Sequence, residues 1–289
     1  MRSWILLITW WKIRIRGGLV SAVIYESPKI GIIGLGHFGK ALAEGILSHT
    51  YSHVLGFNRS PVELSPALAK GLDLRTSIKD VMAECQIILL AVRPQNMMQV
   101  LTDLKDYEGL VISFAAGLPL DYYTSRLPHT TVVRAMTNLG VAYGKGMTVW
   151  VGSENMDAQI RWMTQSVFSD LGNVIELDLE DESQIDTVTA LSGSGIAYLA
   201  QVFDTMKTVG VNHGMTESNA EKVVLQTVSS VLALFHNTEL SLDEIVAGVA
   251  SKGGTTEAGL KTMDEKGLKT ALTQGLEDTI SKCNSLSRL

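Results

Sequence analysis

A short apolar stretch that runs straight into three spaced glycines limits what this chain can fold into more than any other feature. Lys29 to Ile33 reads as a buried strand, Gly34-Leu35-Gly36-His37-Phe38-Gly39 as a turn, and Phe38 to about Leu47 as an apolar-periodic helix. A glycine-rich turn between a strand and a helix suits a phosphate group. Helix N–H groups face outward at that end, and absent side chains let a ligand reach the backbone. Gly34 makes the tight turn, Gly36 admits a pyrophosphate, and Gly39 lets the helix sit close to the sheet. The alternative is a tight turn that needs glycine only for itself.

The pattern then repeats. Val54 to Phe57, Gln86 to Val92, Leu110 to Ala116 and Thr131 to Ala135 are short apolar runs with helical stretches between them. Continuous apolar runs of this length mark parallel strands buried on both faces. Ser77-Ile78-Lys79-Asp80 has capping-box character and opens a helix through Glu84. Met147 to Val151 and Val174 to Leu177 read as the last strands, around an amphipathic helix from Asp157 to Leu171. Strands alternating with helices predict an α/β fold with a doubly wound sheet.

After an acidic stretch, Asp178 to Glu182, the strands stop. Helices are expected at about Gln184–Val209, Glu217–His236, Leu242–Ala250, Thr255–Asp264 and Leu268–Leu286, with a capping box at Ser241-Leu242-Asp243-Glu244. Val223, Val224, Leu225, Val228, Val231, Leu232, Leu234 and Phe235 nearly encircle one of them. A helix so apolar is expected to be buried on most sides, and an interlocked dimer would bury it most completely.

The end of the second strand bears on which dinucleotide is bound. Binding of NAD calls for an Asp or Glu there, on the ribose 2′-OH. This chain has Asn58-Arg59-Ser60 instead. Arg59 can pair with a 2′-phosphate, and Asn58 and Ser60 can donate to it. The expectation is NADPH over NADH; the alternative is that Arg59 is a solvated surface charge. Ala91, Val92, Arg93 and Pro94 end a central strand, placing Arg93 near ribose or pyrophosphate. Ala115, Ala116 and Gly117 end the next, where small residues leave room for a nicotinamide or simply pack closely.

Far along the chain, Ala250-Ser-Lys-Gly-Gly-Thr-Thr-Glu-Ala-Gly-Leu260 brings two glycines and two threonines to a helix start. Four successive N–H groups and two hydroxyls can converge there on a small anion.

Together these motifs resemble the pyrroline-5-carboxylate reductase family, over about Lys29 to Leu286. The resemblance is carried by Ile32-Ile33-Gly34-Leu35-Gly36, Ala91-Val92-Arg93-Pro94-Gln95, Ser113-Phe114-Ala115-Ala116-Gly117, Val133-Arg134-Ala135-Met136-Thr137-Asn138, Thr189-Ala-Leu-Ser-Gly-Ser-Gly-Ile-Ala-Tyr198 and Gly253-Gly254-Thr255-Thr256. It implies a Rossmann-type doubly wound sheet over residues 29–180, then an all-helical substrate and dimerisation domain over 181–289. It further implies a homodimer or a ring of dimers, with 1-pyrroline-5-carboxylate as substrate and NADPH as reductant. Cofactor residues are then Gly34, Leu35, Gly36, His37, Phe38, Gly39, Asn58, Arg59, Ser60, Ala91, Val92, Arg93, Pro94, Ala115, Ala116, Gly117 and Asn138. Substrate residues are Ser192, Gly193, Ser194, Gly195, Gly253, Gly254, Thr255 and Thr256, with the Thr256 hydroxyl near the imine nitrogen as the catalytic group. The stretch Ser192 to Gly195 reads otherwise as close helix contact.

Three loop prolines usual in that family are missing: Leu139-Gly140, Ile196 and Lys252 stand in their places. Each loss frees a backbone φ that proline would hold near -65°. Two other readings follow. One is a coenzyme-binding relative with a changed substrate or lost catalysis. The other is an enzyme of the β-hydroxyacid dehydrogenase kind, which needs a catalytic lysine on the helix after Gly195. Here the first lysine is Lys207, more than three turns on.

The remaining composition fits an ordinary enzyme. A net charge of -6 and no basic run speak against nucleic acid. Two cysteines and six scattered histidines suggest a reducing, cytoplasmic location and no metal. Residues 1–28 read as a tail outside the fold, from an upstream start. Their apolar run, Trp4 to Trp11, is far short of the roughly 20 residues of a spanning helix, with weak interfacial membrane contact as the alternative.

Overall fold

The computed structural model describes residues 9–15, 18–24, 28–48 and 53–286. Its first strands, β1 (Thr9–Ile15) and β2 (Gly18–Ile24), pair antiparallel in a two-stranded sheet of their own. They occupy the stretch read above as a tail; residues 1–8, which hold most of the apolar run, lie outside the described residues.

The main sheet follows the apolar runs. Its elements are β3 (Ile30–Ile33), α1 (His37–Leu47), β4 (Val54–Phe57), β5 (Leu72–Leu74), α2 (Ile78–Glu84), β6 (Ile87–Leu90), α3 (Pro94–Asp103), β7 (Leu110–Ser113), α4 (Leu120–Thr124), β8 (Thr131–Met136), β9 (Gly146–Gly152), α5 (Ala158–Leu171) and β10 (Gly172–Glu176). The strand order is β10-β9-β8-β7-β6-β3-β4-β5. This is the expected α/β, doubly wound architecture, with every residue of β3, β6, β7 and β8 buried.

Two features depart from the sequence reading. β9 runs antiparallel to β8. Only a 3-10 turn (Leu139–Tyr143) and its flanks link them, too little chain for the crossover that a parallel neighbour needs. β5 was not foreseen, because three residues at a sheet edge carry no periodicity.

Phe114, just past β7, ties together two helices that pack on the same face of the sheet. Its ring meets Phe38 of α1 at 5.4 Å and Phe168 of α5 at 6.1 Å, both edge-on. Phe168 also lies 6.0 Å from Trp150 of β9. Such pairs add about 0.5–1.5 kcal/mol beyond their area.

The chain parts into a second unit between Ile185 and Asp186. After α6 (Gln184–Val188), that unit contains α7 (Gly195–Asn212), α8 (Glu217–Asn237), α9 (Leu242–Val249), α10 (Thr255–Glu265) and α11 (Leu268–Leu286). The single helix expected over Gln184–Val209 is broken. Thr189–Ser194 winds as a π turn, where Ser192, Gly193 and Ser194 are weak helix formers. The Ser241–Glu244 capping box is complete, both halves of it bonded.

The burial expected around α8 does not come from this chain. Only Ala220 and Val224 are buried on it, whereas Val223, Leu225, Val231, Leu232, Leu234 and Phe235 are exposed. α8 packs on α7 and α9, which cover one stripe of a helix that is apolar nearly all round.

The aromatic core of the first unit gives a direct stability test. Phe168→Ala is expected to destabilise the protein by about 3–5 kcal/mol, because it leaves a cavity between Phe114 and Trp150. Urea unfolding at fixed protein concentration measures this; a loss below about 1 kcal/mol would mean that the cavity collapses.

Candidate active site

The chain passes from β3 to β4 and β5 on one side, then returns to β6 on the other. Beyond the carboxyl ends of β3 and β6 lies the crevice where open α/β sheets take ligands. Gly34 leaves β3 at φ +98°, and a Cβ there would stand 2.8 Å from Val92 Cγ1. α1 is drawn hard against this turn: a Cβ on Gly39 would collide with the Gly34 carbonyl oxygen. Gly39 therefore serves contact between the helix and the turn.

Gly36 differs. A Cβ on it would meet no protein atom within 4 Å, so packing does not require glycine there. The first bond of α1 runs from the Lys40 N–H to the Gly36 carbonyl at 3.0 Å. The N–H groups of His37, Phe38 and Gly39 precede it and face past the helix end. The His37 side chain is exposed, while the Phe38 ring turns into the core. An outward N–H row and an open glycine fit a dinucleotide pyrophosphate.

Asn58 has a different part from the one its type suggested. Its Oδ1 accepts the Leu35 N–H at 2.9 Å, and its Nδ2 donates to the Ser60 carbonyl at 2.8 Å. It braces the glycine turn against the end of β4 instead of turning its donors outward. Arg59 and Ser60 are exposed there, and Arg59 has no ion-pair partner among the described residues.

The neighbouring strand ends complete the crevice floor. The Ala91 N–H donates to the Ile33 carbonyl at 2.9 Å, with Val92 half-buried beside Gly34. Arg93 is the exposed N-cap of α3 and Pro94 is its first residue. Past β7, Ala115 is buried, Ala116 half-buried and Gly117 sits at φ +76°. The Ala115 N–H donates to Ser113 Oγ at 3.3 Å, and the Ser113 hydroxyl donates to Tyr123 Oη at 2.7 Å. Burial pushes the Tyr123 pKa up, so that hydroxyl stays protonated. Past β8, Asn138 Oδ1 accepts the Gly140 N–H at 2.9 Å and caps the 3-10 turn.

In the second unit, Ser192, Gly193 and Ser194 lie in the π turn and Gly195 begins α7. Such turns occur often at functional sites. Gly253 takes φ +72°, and its N–H donates to Glu257 Oε2 at 2.6 Å. The Gly254 N–H goes to the Ser251 carbonyl at 2.9 Å. Two of the four N–H groups expected to meet an anion are thus used within the chain. Thr255 and Thr256, the first two residues of α10, keep theirs, and their hydroxyls bond no described residue. Glu257 was missed by the sequence reading, although a Glu at the third position of a helix is a capping signal. Lys252 is exposed in the same loop.

Lys207, the nearest lysine for a dehydrogenase base, sits 3.0 Å from Asp204 Oδ1 and 3.5 Å from Glu217 Oε1. Its hydrogen bond to Asp204 raises its pKa, so it stays a cation and removes no alcohol proton at neutral pH. Among the described residues no group of three His, Cys, Asp or Glu side chains could hold a metal ion. No described helix is long and apolar enough to cross a membrane.

Comparison with known proteins matches two families. Residues 182–286 match pyrroline-5-carboxylate reductase dimerisation, and residues 29–117 match NADP oxidoreductase coenzyme F420-dependent. A pyrroline-5-carboxylate reductase of Methanosarcina acetivorans is 32% identical over 85% of this chain and 93% of its own length. The solved 1-pyrroline-5-carboxylate reductase of Streptococcus pyogenes is 26% identical, with a TM-score of 0.80 over 89% of this chain and 98% of that one. The pyrroline carboxylate reductase of Plasmodium falciparum, solved with NADP bound, shares the fold at a TM-score of 0.84 and 24% identity, covering 91% and 99%.

The two glycines of the turn separate ligand contact from packing. Gly36→Ser is expected to keep or raise the melting temperature, since serine is a good N-cap. It should weaken dinucleotide binding by about ten-fold or more, which corresponds to about 1.4 kcal/mol. Gly39→Ala should lower both. Fluorescence titration with NADPH beside thermal unfolding checks the pair; a Gly36→Ser variant with undiminished affinity would remove the pyrophosphate assignment.

Proposed function

The chain belongs to the pyrroline-5-carboxylate reductase family, and from that premise we propose that it reduces 1-pyrroline-5-carboxylate to L-proline with NADPH. The observation that carries the reading is the pairing of its two sites. One is an outward N–H row at an open glycine, beside an arginine and no carboxylate. The other is a glycine-led helix start with two unused N–H groups and two unused hydroxyls.

The dinucleotide, when bound, supplies the hydride that the C=N carbon accepts. The first unit holds it: the N–H groups of His37, Phe38 and Gly39 take the pyrophosphate, Arg59 and Ser60 the 2′-phosphate, and Arg93 a ribose or phosphate oxygen. Asn58 keeps the turn in register with the end of β4. Ala115, Ala116 and Gly117 leave room for the nicotinamide, and Asn138 shapes the adjoining turn. In the second unit, the Thr255 and Thr256 N–H groups hold the substrate carboxylate. The Thr256 hydroxyl holds a hydrogen bond at the imine nitrogen, which ends the reaction with its proton. Ser192, Gly193, Ser194 and Gly195 line the pocket. No titratable acid is required of these residues, because a protonated imine already accepts hydride readily; orientation and exclusion of water are the protein's part.

Two copies of the chain, at least, form the working unit, with the exposed apolar face of α8 covered by the partner. The buried thiols of Cys85 and Cys283 suit a reducing cytoplasm.

Purified protein with pyrroline-5-carboxylate should consume NADPH, followed by its absorbance, faster than NADH. NADPH binding without consumption would sink the reaction. Arg59→Ala should weaken NADPH by roughly ten-fold or more, as loss of a charge-assisted bond implies, and leave NADH nearly unchanged. Equal losses would remove the phosphate assignment. Thr256→Ala should lower turnover by roughly a hundred-fold, as loss of the group that orients the imine implies, at nearly constant NADPH affinity. Unchanged turnover would take Thr256 out of the chemistry.

A further inference from the structure

Two hydrogen-bonded pairs of buried or half-buried polar side chains, Glu182 with Arg134 and Ser113 with Tyr123, hold the backbone on either side of the loop that ends β7. Glu182 Oε1 accepts the Leu120 N–H at 2.7 Å and Arg134 Nη1 at 2.9 Å. Arg134 is on β8, its side chain 3% exposed, so its charge has little contact with water and needs this carboxylate. Leu120 is the first residue of α4 and stands three residues beyond Gly117. One turn further on, Tyr123 accepts the Ser113 hydroxyl, and Ser113 accepts the Ala115 N–H. The loop Ala115-Ala116-Gly117 is therefore held at its start by Ser113 and just past its end by Glu182. Glu182 also lies close to the point where the chain leaves the first unit.

We infer that Glu182 is a positioning residue for hydride transfer: with Arg134 it pins the start of α4, and together with the Tyr123–Ser113 pair it sets the backbone of residues 115–117. This rests on the assignment of that loop to the nicotinamide. Neither Glu182 nor Ser113 touches the reacting atoms. A carboxylate bound by a backbone N–H and a buried guanidinium at once has one low-energy position, so the loop it anchors is restricted to one as well. The glycine turn and Arg59 hold the other end of the dinucleotide independently. Loss of the anchor should therefore disturb the nicotinamide without loosening the whole coenzyme.

The test uses the full-length protein with Glu182→Gln, which keeps an acceptor for the Leu120 N–H but lacks the charge, and Ser113→Ala, a small change that carries little risk of misfolding. Three quantities are measured in each: the NADPH dissociation constant, the fluorescence lifetime of bound NADPH, and turnover with NADPH and with NADPH deuterated at C4. The expected result is turnover lowered roughly ten- to a hundred-fold, as a displacement near 1 Å can cause. NADPH affinity should change less than about three-fold. The deuterium effect should rise, and the lifetime of bound NADPH should shift. Turnover that falls with an unchanged deuterium effect and lifetime would mean only lost active protein and would overturn the inference. So would wild-type turnover in both variants, or a parallel loss of NADPH affinity. If the wild type binds NADPH but does not reduce pyrroline-5-carboxylate, the proposed reaction fails, and the lifetime alone then decides the role of Glu182.

Discussion

The reversal of strand order at β3 is the constraint from which the first unit follows. β3 pairs in parallel on both sides, with β4 and β6. Each parallel neighbour needs a crossover, and with crossovers on both faces the central strands see no water. Their sequences must then be apolar throughout, as Ile30–Ile33 and Ile87–Leu90 are. The reversal also leaves a crevice that no crossover covers. α1 can start at its edge only because Gly34 and Gly39 let helix and turn touch. Packing and the crevice proposed for the dinucleotide therefore share one cause, and the open face at Gly36 is the part that packing leaves over.

The second unit is governed by a surplus. α10 has no buried residue in this chain, and α8 only two. An eleven-residue helix without tertiary burial is marginal in water. Yet α10 presents the two threonines on which substrate binding is proposed to depend. If a second copy covers the apolar surface of this unit, as proposed, assembly and the shape of the glycine loop are thermodynamically linked. Dimerisation in this reading is a condition for the loop to exist in one form.

The sequence was most legible where a single local rule decides the outcome. Apolar runs set β3, β4, β6, β7 and β8 to within a few residues, and Ser241 with Glu244 set the start of α9. It was least legible where partners are distant. Nothing near Asn58 shows that its amide braces Leu35, 23 residues earlier, and nothing near Glu182 points 48 residues back to Arg134. Arg134 did carry a signal: a charge within a largely apolar strand demands a buried partner. The π turn was hidden for another reason. Helical periodicity continues on both sides of Ser192, and only the run of weak helix formers marks the break.

The glycine loop shows how charge and backbone shape interact at the proposed substrate site. Glu257 fixes Gly253 by accepting its N–H, which helps hold the backbone at φ +72° next to Lys252. That carboxylate also puts a negative charge one residue beyond Thr256, where an anionic substrate would dock. Lys252, of opposite charge in the same loop, offsets it. Both side chains are exposed, so water and salt weaken each effect and their balance is small. What remains for recognition is the pair of N–H groups at Thr255 and Thr256, fixed by helix geometry and insensitive to pH. Under the proposed substrate assignment, selectivity for a carboxylate depends on the backbone keeping its form, which the neighbouring charges support but do not replace.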